Sequence, residues 1–208
     1  MTGATSTIRS AADEKTDAII TAARDTFLSR GFDASSMDQI ALAANVSKRT
    51  VYNRFRSKEE LFGAAIEETC RNLVPVNTDE IEATLPAREF IEQLSRQFLQ
   101  GILSPNALSL RRIADFEAER TPSIGRCYLE HGPRWMVTHC APIMARIAPK
   151  GGLDIKDPVD ALWRLGALIT EPLYTTTLLG AAPDNLDAAI ERQVTDGVDA
   201  FFKIYSNS

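Results

Sequence analysis

The sequence predicts an all-α protein, and three observations carry that prediction. Apolar residues recur at steps of three and four through almost every segment. Helix starts are marked repeatedly by a capping residue followed by proline, at Ser104-Pro105, Thr121-Pro122 and Asp157-Pro158. No convincing pair of alternating strands occurs. The expected architecture is a three-helix N-terminal unit followed by a larger helical domain, about nine helices in all.

The elements follow in order. Met1–Ala12 is small and polar, with no apolar run for a signal peptide, and reads as a flexible arm over 1–12. Residues 13–30 set Ile20, Ala23 and Phe27 on one face, and Gly31 is the stop. Ser36 caps a short helix whose Met37, Ile40, Ala41 and Ala44 share a face. Asn45 then turns the chain, being tolerant of left-handed dihedrals. Ser47 caps the next helix, with Val51 and Phe55 inward. Ser57-Lys58-Glu59-Glu60 reads as a capping box before Leu61, Phe62, Ala65 and Ile66. Polar residues around Pro75–Thr84 interrupt the pattern. Further helices are expected at about 85–101, 105–120, 122–148, 158–180 and 184–205, with Pro133, Pro142 and Pro172 kinking or splitting those that contain them. The domains are accordingly an arm over 1–12, a first domain over 13–60 and a second over 61–208.

Charge narrows the function. The net charge is −5, which argues against indiscriminate coating of nucleic acid. Residues 1–60 nevertheless carry nine Lys or Arg against eight acids, and Lys48, Arg49, Arg54, Arg56 and Lys58 fall in a stretch without an acid among them. Such a local basic patch on an acidic body is a focused electrostatic footprint. Three cysteines, Cys70, Cys127 and Cys140, form no disulfide framework or C-x-x-C pattern. A reducing, cytoplasmic setting is expected, with no membrane span and no cofactor.

A short helix, a tight turn and a second short helix is the shape that lays its second helix in a major groove. Lys48 and Arg49 sit at the N-terminal end of that helix, where base edges are met, and the Arg49 fork suits a guanine. Asn53 is a lesser candidate for a base contact. Thr50 and Tyr52 offer hydroxyls to phosphates. Ser36 and Lys58 begin flanking helices, whose free amides attract anions. On this reading Lys58→Ala flattens the salt dependence of binding.

The run Ser35-Ser36-Met37-Asp38-Gln39-Ile40-Ala41, followed by Asn45-Val46-Ser47-Lys48-Arg49-Thr50-Val51-Tyr52-Asn53-Arg54-Phe55-Arg56-Ser57-Lys58-Glu59-Glu60-Leu61-Phe62, resembles the TetR family of bacterial regulators across about 13–70. The resemblance implies that Ser36, Lys48, Arg49, Thr50, Tyr52, Asn53 and Lys58 face DNA. The chain departs from the family pattern in having Asn45 for the turn glycine and Asp38 where a base is frequent. The stretch 107–182 is similar to the AefR-like subgroup through Leu110, Ala114, Glu117, Arg120-Thr121-Pro122 and Gly132-Pro133. That resemblance implies a ligand-binding, dimer-forming domain and names no ligand.

Two helices suit self-association: 158–180, apolar on most faces, and 184–205, with a stripe of Ile190, Val194, Val198, Phe201 and Tyr205. The alternative is that these faces pack inside one chain. Candidate effector contacts are Arg111, Glu117, His131, Trp135, Glu171 and Tyr174. Among them Glu171 is the expected buried carboxylate, with Arg111 its suggested partner. Cys127 and His131 are four apart and can share a face, but two groups do not make a metal site. No phosphate loop, nucleophile elbow or H-E-x-x-H occurs, so the rival reading of an all-α enzyme has no motif behind it. The expected function is a homodimer on a palindromic operator in double-stranded DNA. It is expected to repress until a small-molecule effector releases it, although sequence does not separate repressor from activator.

Overall fold

Polar side chains start most of the helices at the positions the sequence marks. In the computed structural model, which describes residues 11–74, 81 and 84–206, α1 spans Ala11–Arg30, α2 Met37–Ala43, α3 Lys48–Tyr52 and α4 Lys58–Arg71. The second part holds α5 (Ala87–Ile102), α6 (Pro105–Arg120), α7 (Pro122–Leu129), α8 (Trp135–Ile147), α9 (Pro158–Thr170), α10 (Leu173–Leu178) and α11 (Leu186–Tyr205). There is no strand among the described residues beyond an isolated bridge between Leu153 and Ser206. The arm read over 1–12 lies outside the described residues except for Ala11 and Ala12, which begin α1; most of the Pro75–Thr84 interruption is outside them as well.

Ser36, Ser47, Ser57, Ser104, Asp157 and Asn185 each accept a backbone N–H of the first turn they open. The reciprocal capping box stands at Ser36 and Gln39 rather than at Ser57. Glu60 reaches past its own cap to the Arg56 N–H, at 2.7 Å. Thr121 starts α7 without a side-chain cap, Pro122 needing no N–H partner there.

The three prolines act differently. Pro133 is absorbed by a π-helical turn at Glu130–Arg134, which joins α7 to α8 without a break. Pro172 separates α9 from α10 as expected. Pro142 sits inside α8, which continues through it, so no split occurs there; buried Val137, Met144 and Ile147 hold both halves in place.

The chain builds two cores. In the first, Ile19, Ala23 and Phe27 of α1 meet Met37, Ile40, Ala41, Val51, Phe55, Leu61 and Phe62. Ile19 rather than Ile20 therefore lies at the centre of the α1 face, with Ile20 packed at its edge. Leu110 and Ala114 of α6 and Ile124 of α7 join this same core, so the second part of the chain completes the first. The division expected after residue 60 falls within the continuous helix α4. The second core gathers α5, α8, α9 and α11.

That second core corrects one expectation. Ile190, Val194, Val198 and Phe201 are 0–2% exposed in a single chain, packed against α5 and α9. The α11 stripe read as a dimer seam is therefore spent inside the monomer. What α9, α10 and α11 leave outside is Val159, Trp163, Leu179 and Ile204.

Gly197 fixes how closely α11 approaches α9. A methyl group there would stand 2.8 Å from both the Leu168 carbonyl oxygen and the Ile169 Cγ2. Gly197→Ala is expected to lower stability by about 1–3 kcal/mol, as overpacking does. Gly166→Ala, with nothing within 4 Å of the added methyl, is the control and should be neutral or stabilising. Urea midpoints of the two variants check this.

Candidate nucleic-acid interface and internal cavity

The α3 helix is held by one buried face. Val51 is fully buried and Phe55 nearly so, while Lys48, Arg49, Tyr52 and Asn53 are exposed. Asn45 takes the turn with φ +52°, the left-handed conformation expected of it. Ser47 then caps Thr50 N–H at 3.1 Å and shares a 2.8 Å hydrogen bond with the Thr50 hydroxyl, which stays half-buried. Ser36 is exposed at the start of α2. Arg54 turns inward and donates to the Thr16 hydroxyl at 2.5 Å, tying α3 to α1.

Two further members of the basic stretch are already engaged. Lys48 pairs with Asp38, the acid that stands where a base is frequent in the family pattern. Lys58 donates from Nζ to the carbonyl oxygens of Phe32 (2.6 Å), Ser35 (3.0 Å) and Asp33 (3.3 Å), with its ammonium 4.3 Å from the Phe32 ring centroid. Its ammonium thus staples α4 to the turn after α1, which speaks against a phosphate contact and a flattened salt slope. Lys58→Met should lower stability by about 1–3 kcal/mol through the lost charged hydrogen bonds. It should also leave the slope of affinity against salt unchanged. Thermal melting and a salt titration of DNA binding read the two separately.

The second part of the chain, together with α4, lines two adjoining chambers, here called inner and outer. The inner one, of about 150 Å³, is apolar, walled by Phe90, Ile91, Leu94, Val137, Ile143 and Ile147 among others. The outer one, of about 370 Å³, carries Thr69, Arg111, Tyr128, Thr170, Glu171 and Tyr174. Both share Leu73, Phe98, Pro133, Met136, Trp163 and Gly166, so they lie side by side about that waist. Arg111 lies 5.6 Å over the Tyr128 ring and donates from Nε to both oxygens of Asp115, at 2.8 and 2.9 Å. Burial pushes the Tyr128 and Tyr174 phenols above their usual range, so both remain neutral O–H donors at physiological pH.

Of the six candidate effector contacts, the cavity brings together Arg111, Glu171 and Tyr174. Glu171 is exposed, however, and Arg111 pairs with Asp115 instead, so the expected buried pair does not form. The other three lie elsewhere. Trp135 stacks flat on His139, with centroids 4.7 Å apart. His131 reaches Glu67 at 3.3 Å and, with Cys127, crowds Gly63 of α4. The two do share a face, which serves close packing of α4, and no group of three metal-ligating residues occurs among the described residues. Glu117 is 3% exposed, away from both chambers. Burial raises the thiols of Cys70 to about 12 and of Cys127 and Cys140 to about 11, so all three stay protonated.

Comparison with known proteins decides the family. The pattern for bacterial regulatory proteins of the tetR family matches residues 19–65, and that for the AefR-like transcriptional repressor C-terminal domain matches 89–207. The chain belongs to the TetR family. It is a DNA-binding transcriptional regulator and not an enzyme. The structure is similar to that of a TetR-family regulator from Mesorhizobium loti, with a TM-score of 0.74 and 29% identity, covering 96% of this chain and 100% of the other. It is also similar to the flavonoid-responsive regulator FrrA, with a TM-score of 0.71 and 33% identity over 93% and 97% of the two chains. The transcriptional activator FasR of Mycolicibacterium smegmatis is 33% identical over 90 residues, 43% of this chain and 41% of FasR. The chain thus spans about two fifths of the length of the curated relatives it matches.

Within this TetR-family regulator, sequence reasoning missed Tyr128, Trp163 and Ser95 as cavity residues. Tyr128 lies four residues before Gly132 on one helical face, a signal hidden by the attention drawn to Cys127 and His131. Trp163 stood in a helix read wholly as a dimer surface. Ser95 carried no signal, being one serine in an amphipathic helix. No described helix is long and apolar enough to cross a membrane.

Proposed function

We propose that this TetR-family regulator is a homodimeric repressor that occupies a palindromic operator and leaves it when a small molecule fills the two-chambered cavity. One observation carries the DNA-binding half. The short helix α3 is anchored by Val51 and turns Lys48, Arg49, Tyr52 and Asn53 outward together. Arg49 reads a base, Lys48 and Asn53 contribute at its side, and Ser36, Thr50, Tyr52 and the Lys58 backbone amide hold phosphates. Lys48 must leave Asp38 or share it when DNA arrives, so that acid tempers non-specific affinity. Two copies are needed because one short helix buries too little for tight specific binding. The exposed Val159, Trp163 and Ile204 of α9 and α11 form the surface through which they meet.

Coupling between the cavity and α3 runs through one layer of side chains. Leu110 and Ile66 line the outer chamber and also belong to the core that supports the reading head. A ligand that shifts α6 or α4 therefore moves the packing beneath α3. A coupling of about 1–3 kcal/mol per site is enough for regulation. The similarity to a flavonoid-responsive regulator supports response to a small molecule. The partial similarity to an activator keeps activation as a second reading of the output. With its thiols free and its target double-stranded DNA, the protein acts in the cytoplasm. Footprinting on the DNA upstream of its own gene, with transcription measured with and without the protein, tests the proposal. Lower transcription upon a protected palindrome supports it, and raised transcription selects the activator reading.

A further inference from the structure

Several hydroxyls of this chain satisfy themselves on the preceding helical turn, whereas those of Ser95 and Thr177 are buried without a partner, and of these two only Ser95 lines a chamber. Thr26, Thr69, Thr176, Thr195 and Ser206 each donate to the carbonyl four residues back, at 2.6–3.1 Å. Ser95 on α5 is 3% exposed and its Oγ has no hydrogen-bond partner. A buried hydroxyl left unpartnered costs about 1–3 kcal/mol. This one lies in the wall of the inner chamber, which is otherwise lined almost entirely by carbon and sulfur.

The outer chamber supplies the opposite pole. Arg111 commits its Nε–H to Asp115, which is itself half exposed, while its guanidinium lies 5.6 Å over the Tyr128 ring, in the chamber that Tyr174 also lines. A guanidinium has five donors arranged as a fork that fits a planar oxyanion. Between the poles lie the flat or polarizable surfaces of Phe98, Trp163, Pro133 and Met136, which line both chambers. Stacked rings and sulfur–ring contacts favour an aromatic body at that waist.

We propose that the effector is an elongated aromatic acid: an oxyanion held by Arg111 with Tyr128 and Tyr174, a ring system through the waist, and a second oxygen reaching Ser95. The identification rests on the reading of the cavity as the effector site. It makes Ser95 a specificity residue and Arg111 the charge anchor.

Calorimetric titration of the full chain with three probes tests it: biphenyl-4-carboxylate, its methyl ester and 4′-hydroxybiphenyl-4-carboxylate. The acid should bind about tenfold more tightly than the ester, since only the acid offers a charged acceptor. The added hydroxyl should gain about fivefold, one hydrogen bond's worth. Arg111→Met should erase the preference for acid over ester, and Tyr174→Phe should reduce it. Ser95→Ala should erase only the gain from the hydroxyl. Unliganded melting midpoints show whether each variant is folded. Equal binding of acid and ester, acid preference surviving in Arg111→Met, or no binding of any probe at millimolar concentration overturns the inference. Operator release is measured in parallel. Acid-selective binding without release leaves the ligand class standing and sinks effector release, whereas release by acid and ester alike does the reverse.

Discussion

Arg49→Ala is expected to relax the operator preference at a single base-pair position in each half-site, with a loss of about 1–3 kcal/mol of discrimination there. The expectation comes from placement. Arg49 is exposed in the first turn of α3, has no ion-pair partner among the described residues, and stands beside Lys48, which Asp38 already engages. It is therefore the one strong forked donor on this helix free to meet a base edge. Binding to a panel of operators mutated one position at a time reads the effect. An equal loss on every sequence in the panel assigns Arg49 to phosphate contact and removes its base-reading role.

Phe62→Ala should have the largest effect on stability, a loss of about 3–5 kcal/mol, in the range for emptying a buried aromatic site. Phe62 is fully buried on α4 and makes edge contacts with Phe27 and Phe32, at centroid distances of 5.3 and 5.4 Å. Phe27 and Phe32 stack at 5.7 Å, and the Lys58 ammonium lies over Phe32. The cavity left would loosen α1 from α4 and, through Phe32, the turn that leads to Ser36. Denaturant unfolding measures the stability loss. DNA affinity at a temperature where the variant remains folded should also fall, because α2 and α3 rest on the same core.

Local chemistry explains which parts of the molecule were legible in the sequence. The reading head is written in short-range signals: three serine caps, a left-handed asparagine, and apolar residues at helical spacing. Each acts within four residues, so Ser36, Asn45, Ser47, Val51 and Phe55 could be placed without knowing the fold. The cavity is built from seven helices, α4 to α10, and nothing local distinguishes a side chain that faces it from one a turn away. Arg111 and Tyr174 stand on helices expected to face the proline-interrupted helix and do line the cavity, but Trp135 and His131, on that interrupted helix itself, face elsewhere. The stripe on α11 shows the same limit: Ile190, Val194, Val198 and Phe201 had to be covered, but periodicity does not say whether by α5 and α9 or by another copy. Glu171 misled because an acid in an apolar run suggests burial, whereas the break at Pro172 exposes it. Lys58 was read as a phosphate ligand because its carbonyl partners come from a turn more than twenty residues earlier.

Hydroxyl-radical and methylation footprinting of the purified protein on an operator fragment addresses the role of α3 most directly. The expected result is two protected patches of guanine N7 in the major groove, centred about one helical turn or a whole multiple apart, as paired recognition helices require. Protection of guanine in each patch should be lost with Arg49→Ala while the flanking backbone protection persists. Protection confined to the backbone, or a guanine pattern unchanged by Arg49→Ala, would contradict a base-reading role for α3.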